Sequence, residues 1–227
     1  MERYGRYRRT INLIGEEAQE KLIGSKVAIF GVGGVGSYVA EAIARSGVGS
    51  ITLIDGDVVV ESNINRQLIA LSSNIGMPKA EAEAERIRNI NPDADVLAIN
   101  EFYKVGSDFD LSDYDYVIDA IDDVNAKVEL IRNCVEKGIP VVSSMGAGGK
   151  FDTAFRIADI SKTSVCPRAK VMRKRLREIG IEHLPVAFSE EKPVKCEGEL
   201  GTMSYVPGAC GLVIAGYVIR SLAGVEK

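Results

Sequence analysis

The run Gly31-Val32-Gly33-Gly34-Val35-Gly36 constrains this chain more than any other feature in it. It follows the apolar stretch Lys26–Phe30 and opens Val35–Ser46, where Val35, Val39, Ala42 and Ile43 recur at helical spacing. Strand, glycine turn and helix in that order predict the first unit of a doubly wound α/β fold. Gly31, Gly33 and Gly36 fit G-x-G-x-x-G, in which glycine permits a tight turn and close approach to phosphate. The helix start behind the turn offers free N–H groups and a positive dipole end. Asp55 stands 19 residues past Gly36, closing the predicted strand Ile51–Ile54. A carboxylate there can accept ribose hydroxyls. Read alone, these residues form the dinucleotide fingerprint of a nicotinamide or flavin enzyme.

The rest of the pattern continues the alternation. Lys79–Ile90 reads as an amphipathic helix stopped by Asn91-Pro92, because the residue before proline avoids the helical region. Val96–Ile99, Tyr116–Asp119 and Pro140–Ser144 read as strands, and Asn125–Lys137 as a helix followed by Gly138. Beyond the loop Met145–Lys150 the pattern is less regular: a strand-like Ala154–Ile160, a helical Arg168–Ile179, a loop-rich Glu182–Lys195, short strand-like pieces, and a last helix Cys210–Leu222. The expectation is one α/β domain with a Rossmann-like, mainly parallel sheet. Its nucleotide-binding core covers about residues 22–150, and a substrate-binding elaboration covers about 151–227.

A length of 227 residues suits one such domain, and the net charge of −4 gives no global attraction to nucleic acid. Cys134, Cys166, Cys196 and Cys210 never approach C-x-x-C spacing, which argues against a zinc clip. Cys166 reads as structural, and His183, the one histidine, as a loop residue. The polar, basic opening Met1–Arg9 lacks the apolar core of a secretory signal. The apolar run Gly208–Ala223 is broken by Arg220 and falls short of the roughly 20 residues that span a bilayer. A cytoplasmic protein with no membrane span is expected.

Other residues turn the reading from redox to ATP. Asp57 follows Asp55, then come Ser62-Asn63-Ile64-Asn65-Arg66-Gln67 and Lys79, while Asp119 and Asp122 sit at a strand's carboxyl end. Hydride transfer needs no extra cations at this place, whereas a triphosphate does. Arg66 and Lys79 can neutralise phosphates in a transition state, and Asp122 can hold Mg²⁺.

With those residues in view, residues 6 to about 150 resemble the ubiquitin-activating-enzyme-like superfamily. The matching stretches are Arg6–Arg9, Gly31–Gly36, Leu53–Asp57, Asn63–Gln67, Pro78-Lys79-Ala80, Ile90-Asn91-Pro92 and Val117–Asp122. The resemblance implies that Gly34 and Asp55 contact the nucleotide, Asn63 and Arg66 the phosphate region, and Lys79 a phosphate. It implies that Asp122 helps to coordinate magnesium, and that Arg9, or secondly Arg6, completes the active site of a neighbouring subunit in a homodimer. Zinc-binding C-x-x-C pairs of the thiamine and molybdopterin branches are missing. The whole length instead resembles the tRNA threonylcarbamoyladenosine dehydratases, through Asn12–Glu16, Val117–Asp122, Gly146–Gly149, Asp159–Thr163, Phe188–Glu190 and Cys210-Gly211. Some members carry a cysteine just before the Phe-Ser stretch. Val186 takes its place here, so a thioester role at that point is not expected. A monovalent cation near Gly146–Gly149 and a sulfur-transfer or cysteine-desulfurase partner are further candidates.

Lys170, Arg173, Lys174 and Arg177 share one helical face, with Ala169, Met172, Leu176 and Ile179 opposite. Such a run is usually a solvated face, yet phosphate contacts dominate RNA affinity, and the resemblance makes tRNA contact the preferred reading. Two alternatives stay open: an enzyme adenylating the C-terminus of a ubiquitin-like or sulfur-carrier protein, and a nicotinamide-dependent oxidoreductase.

Overall fold

Strand β1, Lys26–Phe30, turns Val27 and Ile29 to one face and Ala28 and Phe30 to the other, and all four are fully buried. A strand buried on both faces needs helices on both sides of its sheet. The computed structural model, which describes residues 5–194, 198 and 200–225, has that arrangement. Met1–Tyr4 of the basic opening, Cys196 and the end of the loop at Lys195 lie outside the described residues.

Seven strands form one sheet in the order β3-β2-β1-β4-β5-β7-β6. They are β1, β2 (Ser50–Ile54), β3 (Asp95–Ile99), β4 (Tyr116–Asp119), β5 (Val141–Ser144), β6 (Arg156–Asp159) and β7 (Pro185–Phe188). All pairs are parallel except β6 with β7. On one face α2 (Glu16–Gly24), α3 (Gly36–Arg45), α4 (Lys79–Ile90) and α7 (Tyr205–Ala223) cover a core that includes Val27, Ile29, Ile51 and Leu53. On the other, α5 (Val124–Glu136) and α6 (Pro167–Glu178) cover Ala28, Phe30, Val117 and Val186. A short α1, Arg8–Ile14, precedes α2. β1 pairs with β2 on one side and β4 on the other. The chain therefore changes direction across the sheet at β1, and the crevice between the carboxyl ends of β1 and β4 is where open α/β sheets bind ligands.

The second half departs from the sequence expectation in three places. Part of the expected loop Glu182–Lys195 is strand β7, which inserts between β5 and β6. The short strands expected before the last helix are not present among the described residues. That helix begins at Tyr205 rather than Cys210, because Pro207 lies in its first turn, where a missing N–H costs nothing. At 19 residues it is long and apolar enough to cross a membrane by length and composition alone, a test that the shorter run Gly208–Ala223 read from the sequence did not meet. Half of its apolar window is buried inside the fold, and Val206, Cys210, Ile214 and Val218 are wholly enclosed against the rest of the core.

Candidate active site

The glycine loop owes its shape to contacts that no side chain could survive. Gly31 has φ +86°, and a Cβ there would lie 2.7 Å from the Ala120 carbonyl oxygen. A Cβ on Gly36 would fall 1.8 Å from the Gly31 carbonyl oxygen, so only glycine lets α3 start this close to the loop. The Asp55 carboxylate finishes the turn. Its Oδ2 accepts the Val32 N–H at 2.8 Å, and its Oδ1 accepts the Asp57 N–H at 2.9 Å. Burial pushes the Asp55 carboxyl above the usual carboxylate range, while the two backbone donors and Lys79 pull it back.

A cleft of about 1030 Å³ opens beside this loop, at the carboxyl ends of β2, β1, β4 and β5. Gly31, Gly33 and Gly34 line it, as do Asp55 and Asp57 at the end of β2. Arg66, Lys79 and Asp122 reach the same cleft from three separate segments. Lys79 is nearly buried, and its Nζ lies 2.7 Å from Asp57 Oδ2, the more exposed partner. Arg66 is half-buried and is held by donation from Nη1 to the Ser62 carbonyl (2.7 Å) and to Asn65 Oδ1 (2.9 Å). The Asp122 side chain is fully exposed to solvent, and its nearest cation, Arg168 Nη2, is 3.7 Å away. Arg168 Nη1 also donates to the Asp122 backbone carbonyl.

Several expected residues take other places. Gly36 does not line the cleft, since its α-carbon faces Gly31. Asn63 is buried outside the cleft: its Oδ1 accepts the Val60 N–H at 3.3 Å, and its carbonyl accepts the Arg66 and Gln67 N–H groups. It shapes the turn that presents Arg66. Asp119, expected at the ligand end of β4, is fully buried 2.9 Å from Lys127. Arg6 donates to Asn91 Oδ1 at 3.3 Å and lies 3.5 Å from Asp93, while Arg9 is exposed on α1 and outside its own chain's cleft. Gln67, which closes the matching stretch Asn63–Gln67 but was given no role there, is buried in the cleft wall with no hydrogen-bond partner for Oε1 among the described residues. The signal was its place two residues from Asn65 in the run that carries Arg66.

On α6, Lys170, Arg173, Lys174 and Arg177 border a shallow groove of about 450 Å³ with Glu178. Ala169, Met172 and Leu176 are buried as expected, but Ile179 is 42% exposed because the helix ends at Glu178. Arg173 is not a free cation. Its Nη1 donates to the Thr163 carbonyl at 2.9 Å and to Thr163 Oγ1 at 2.5 Å, tying α6 to the preceding turn.

Among the described residues no three His, Cys, Asp or Glu side chains converge on a metal position. Asp122, exposed in the cleft, nevertheless suits Mg²⁺, which is usually held by one or two carboxylates together with nucleotide phosphates and waters.

A doubly wound sheet with a glycine phosphate loop, flanked in one cleft by Arg66, Lys79 and an accessible carboxylate, defines a nucleotide-binding α/β protein with a place for phosphates. The chain belongs to the ThiF family, whose profile matches residues 7–227. It is 44% identical over 231 residues to the tRNA threonylcarbamoyladenosine dehydratase of Bacillus subtilis, spanning 92% of this chain and 91% of that one. Its fold matches the crystal structure of Escherichia coli tRNA N6-threonylcarbamoyladenosine dehydratase, TcdA, in complex with ATP. That match has a TM-score of 0.88 and 37% identity, covering 97% of this chain and 95% of that chain. The molybdopterin-synthase adenylyltransferase of E. coli is more distant, at 30% identity over 228 residues, with 98% of this chain and 83% of that one covered.

Proposed function

We propose that this chain uses ATP to activate the carboxylate of threonylcarbamoyladenosine in tRNA and closes it to the cyclic, dehydrated product. The observation that carries the reading is the convergence of Arg66, Lys79 and Asp122 on the cleft that holds the glycine loop. The dehydratase relatives supply the substrate, and the ATP complex of the TcdA structure supports the nucleotide.

In this reading the glycine loop and the start of α3 receive phosphate oxygens, and Asp55 faces the ribose. A carboxylate oxygen of the substrate attacks the α-phosphorus, the bond to the β-phosphate breaks, and pyrophosphate leaves. Arg66 and Lys79 stabilise the charge that grows on the departing phosphates. The neighbouring carbamoyl group then attacks the activated acyl carbon, AMP leaves, and one proton is lost. The sum is ATP to AMP and pyrophosphate, with one water's atoms removed from the tRNA. Because nucleophile and acyl group share one substrate, placement alone supplies roughly 7–11 kcal/mol of the second barrier. No cysteine is required, in keeping with Val186 standing where some relatives have one. Mg²⁺ held by Asp122 would shield phosphate charge.

Arg9, exposed and outside its own cleft, is proposed to complete the site of a second copy in a homodimer. Lys170, Lys174 and Arg177 are proposed to meet the tRNA backbone, and the cytoplasm follows as the place of work. The reading is tested by equilibrium binding of ATP with Mg²⁺ against NAD. Tighter ATP binding is expected, and tighter NAD binding would end the adenylation reading.

A further inference from the structure

Three lysines are buried among the described residues: Lys79, Lys127 and Lys150, at 6%, 0% and 4% exposure. A buried ammonium is costly unless an anion faces it. Lys79 has Asp57, and Lys127 has Asp119. Lys150 has no ion pair among the described residues. Its Nζ donates to the Ser189 carbonyl at 3.2 Å and lies 5.6 Å over the Phe155 ring. The acid beside it, Glu191, is already committed, with Oε1 accepting the Phe151 N–H at 2.9 Å and Oε2 the Asp152 N–H at 2.8 Å. Lys150 also lines the large cleft, together with Gly146 after β5, Cys166 just before α6 and Arg168 in the first turn of α6. The glycine loop belongs to β1, whereas Ser189 follows β7, three strands across the sheet. Lys150 thus sits toward the end of the cleft away from the nucleotide loop, on the side left for the acceptor.

We infer that Lys150 is the counter-cation of the acceptor, binding the carboxylate of the modified adenosine as it enters the cleft. This rests on the function proposed above. Arg66 and Lys79 serve the nucleotide end, and the acceptor end has its own cation, which has no ion-pair partner among the described residues until the substrate arrives. Burial already holds the Lys150 ammonium below the usual lysine range, so an anion arriving there is bound in exchange for solvation that the group has lost.

Lys150→Met and Lys150→Arg separate this role from others. Binding of tRNA carrying threonylcarbamoyladenosine, of the same tRNA without the modification, and of ATP is measured for each. Lys150→Met is expected to weaken the modified tRNA by about 10- to 100-fold, the usual range for a lost charged hydrogen bond, and to raise its KM more than it lowers kcat. Affinity for unmodified tRNA and ATP is expected to stay at the wild-type value, and Lys150→Arg to recover part of the loss. Without ligand, Lys150→Met is expected to melt at or above the wild-type temperature, since an unpaired buried charge has been removed. Equal weakening of both tRNAs, no weakening of either, or a lower melting temperature would overturn the assignment. A wild-type protein that does not distinguish the two tRNAs would instead overturn the dehydratase reading itself.

Discussion

Lys127 Nζ and Asp119 Oδ2 meet at 2.9 Å with both side chains fully buried, and this pair fixes the segment that presents Asp122. Lys127 also donates to the Ile121 carbonyl at 3.0 Å, and Asp119 accepts from Ser143 Oγ at 2.6 Å and from the Ile121 N–H at 3.1 Å. Both Asp119 oxygens and two of the three Lys127 N–H donors are engaged. Removing one partner strands a buried charge, so Asp119→Ala and Lys127→Ala should each lose about 3–5 kcal/mol in urea unfolding. A loss below 1 kcal/mol in either variant would show that the pair does not hold this segment.

Glu83 on α4 presents the opposite case. It is fully buried, neither carboxylate oxygen has a partner among the described residues, and burial, with Glu41 nearby, raises its pKa well above the ordinary value. The folded chain therefore holds this proton to a higher pH than the unfolded chain, which ionises the group near its ordinary pKa of about 4.3. Its contribution to stability is therefore zero below that pH and grows more unfavourable as pH rises toward the folded value. Glu83→Gln should flatten this part of the stability–pH profile and be more stable than wild type, relative to their difference at pH 4, when both are compared at pH 8. Parallel profiles for the two proteins would contradict a protonated Glu83.

The alternation of strand and helix was legible through β5 because each strand is a short apolar run and each helix keeps its period. β7 was not legible, because four residues beginning with Pro185 carry no period of their own. Only the space between β5 and β6 makes Val186, Ala187 and Phe188 core residues. That Gly31, Gly33, Gly34, Asp55 and Asp122 line one cleft was legible because the glycine loop and strand ends locate them, whereas Arg66 and Lys79 were read from the run Ser62–Gln67 and the start of a helix; the roles of all of them stay proposals. The neighbourhood of Asp119 and Lys127 was not, since both lie on one short segment and only tertiary packing turns them inward. Lys150 was invisible for the same reason: a lysine after two glycines reads as solvated until Phe155 and Ser189 enclose it.

The groups proposed to face phosphate should separate chemistry from folding. Arg66→Ala and Asp122→Ala remove exposed or half-exposed side chains, so each should keep wild-type stability within about 0.5 kcal/mol. Each should lower kcat by about 100- to 1000-fold. Lys79→Ala should lose both, because it also leaves Asp57 without its ion pair. If Arg9 acts across a homodimer, mixing inactive Arg9→Ala with inactive Asp122→Ala subunits should restore turnover through one intact site per mixed dimer. Near-normal pyrophosphate release by folded Asp122→Ala would remove that residue from the site.

The basic face of α6 should divide according to its contacts. Lys170→Glu/Lys174→Glu should weaken tRNA binding, and the log–log salt slope should fall by roughly 0.7–0.9 per lost phosphate contact. ATP affinity should be unchanged, because neither residue lines the nucleotide cleft. Arg173→Glu should chiefly lower stability, since that side chain ties α6 to Thr163. Titration of labelled tRNA at several salt concentrations checks this. Identical slopes for wild type and the double variant would return the face to plain solvation.

If ATP energy is spent on the carboxylate of threonylcarbamoyladenosine in tRNA, product analysis of a single reaction shows it. Purified protein is incubated with ATP, Mg²⁺ and tRNA carrying the modification, with unmodified tRNA and a carrier protein ending in Gly-Gly as parallel acceptors. Pyrophosphate and AMP are expected in equal amounts with the modified tRNA alone, together with a modified nucleoside lighter by one water. Pyrophosphate release that depends on the carrier protein, with the tRNA nucleoside unchanged in mass, would contradict the dehydratase reading and assign the chain to carrier activation.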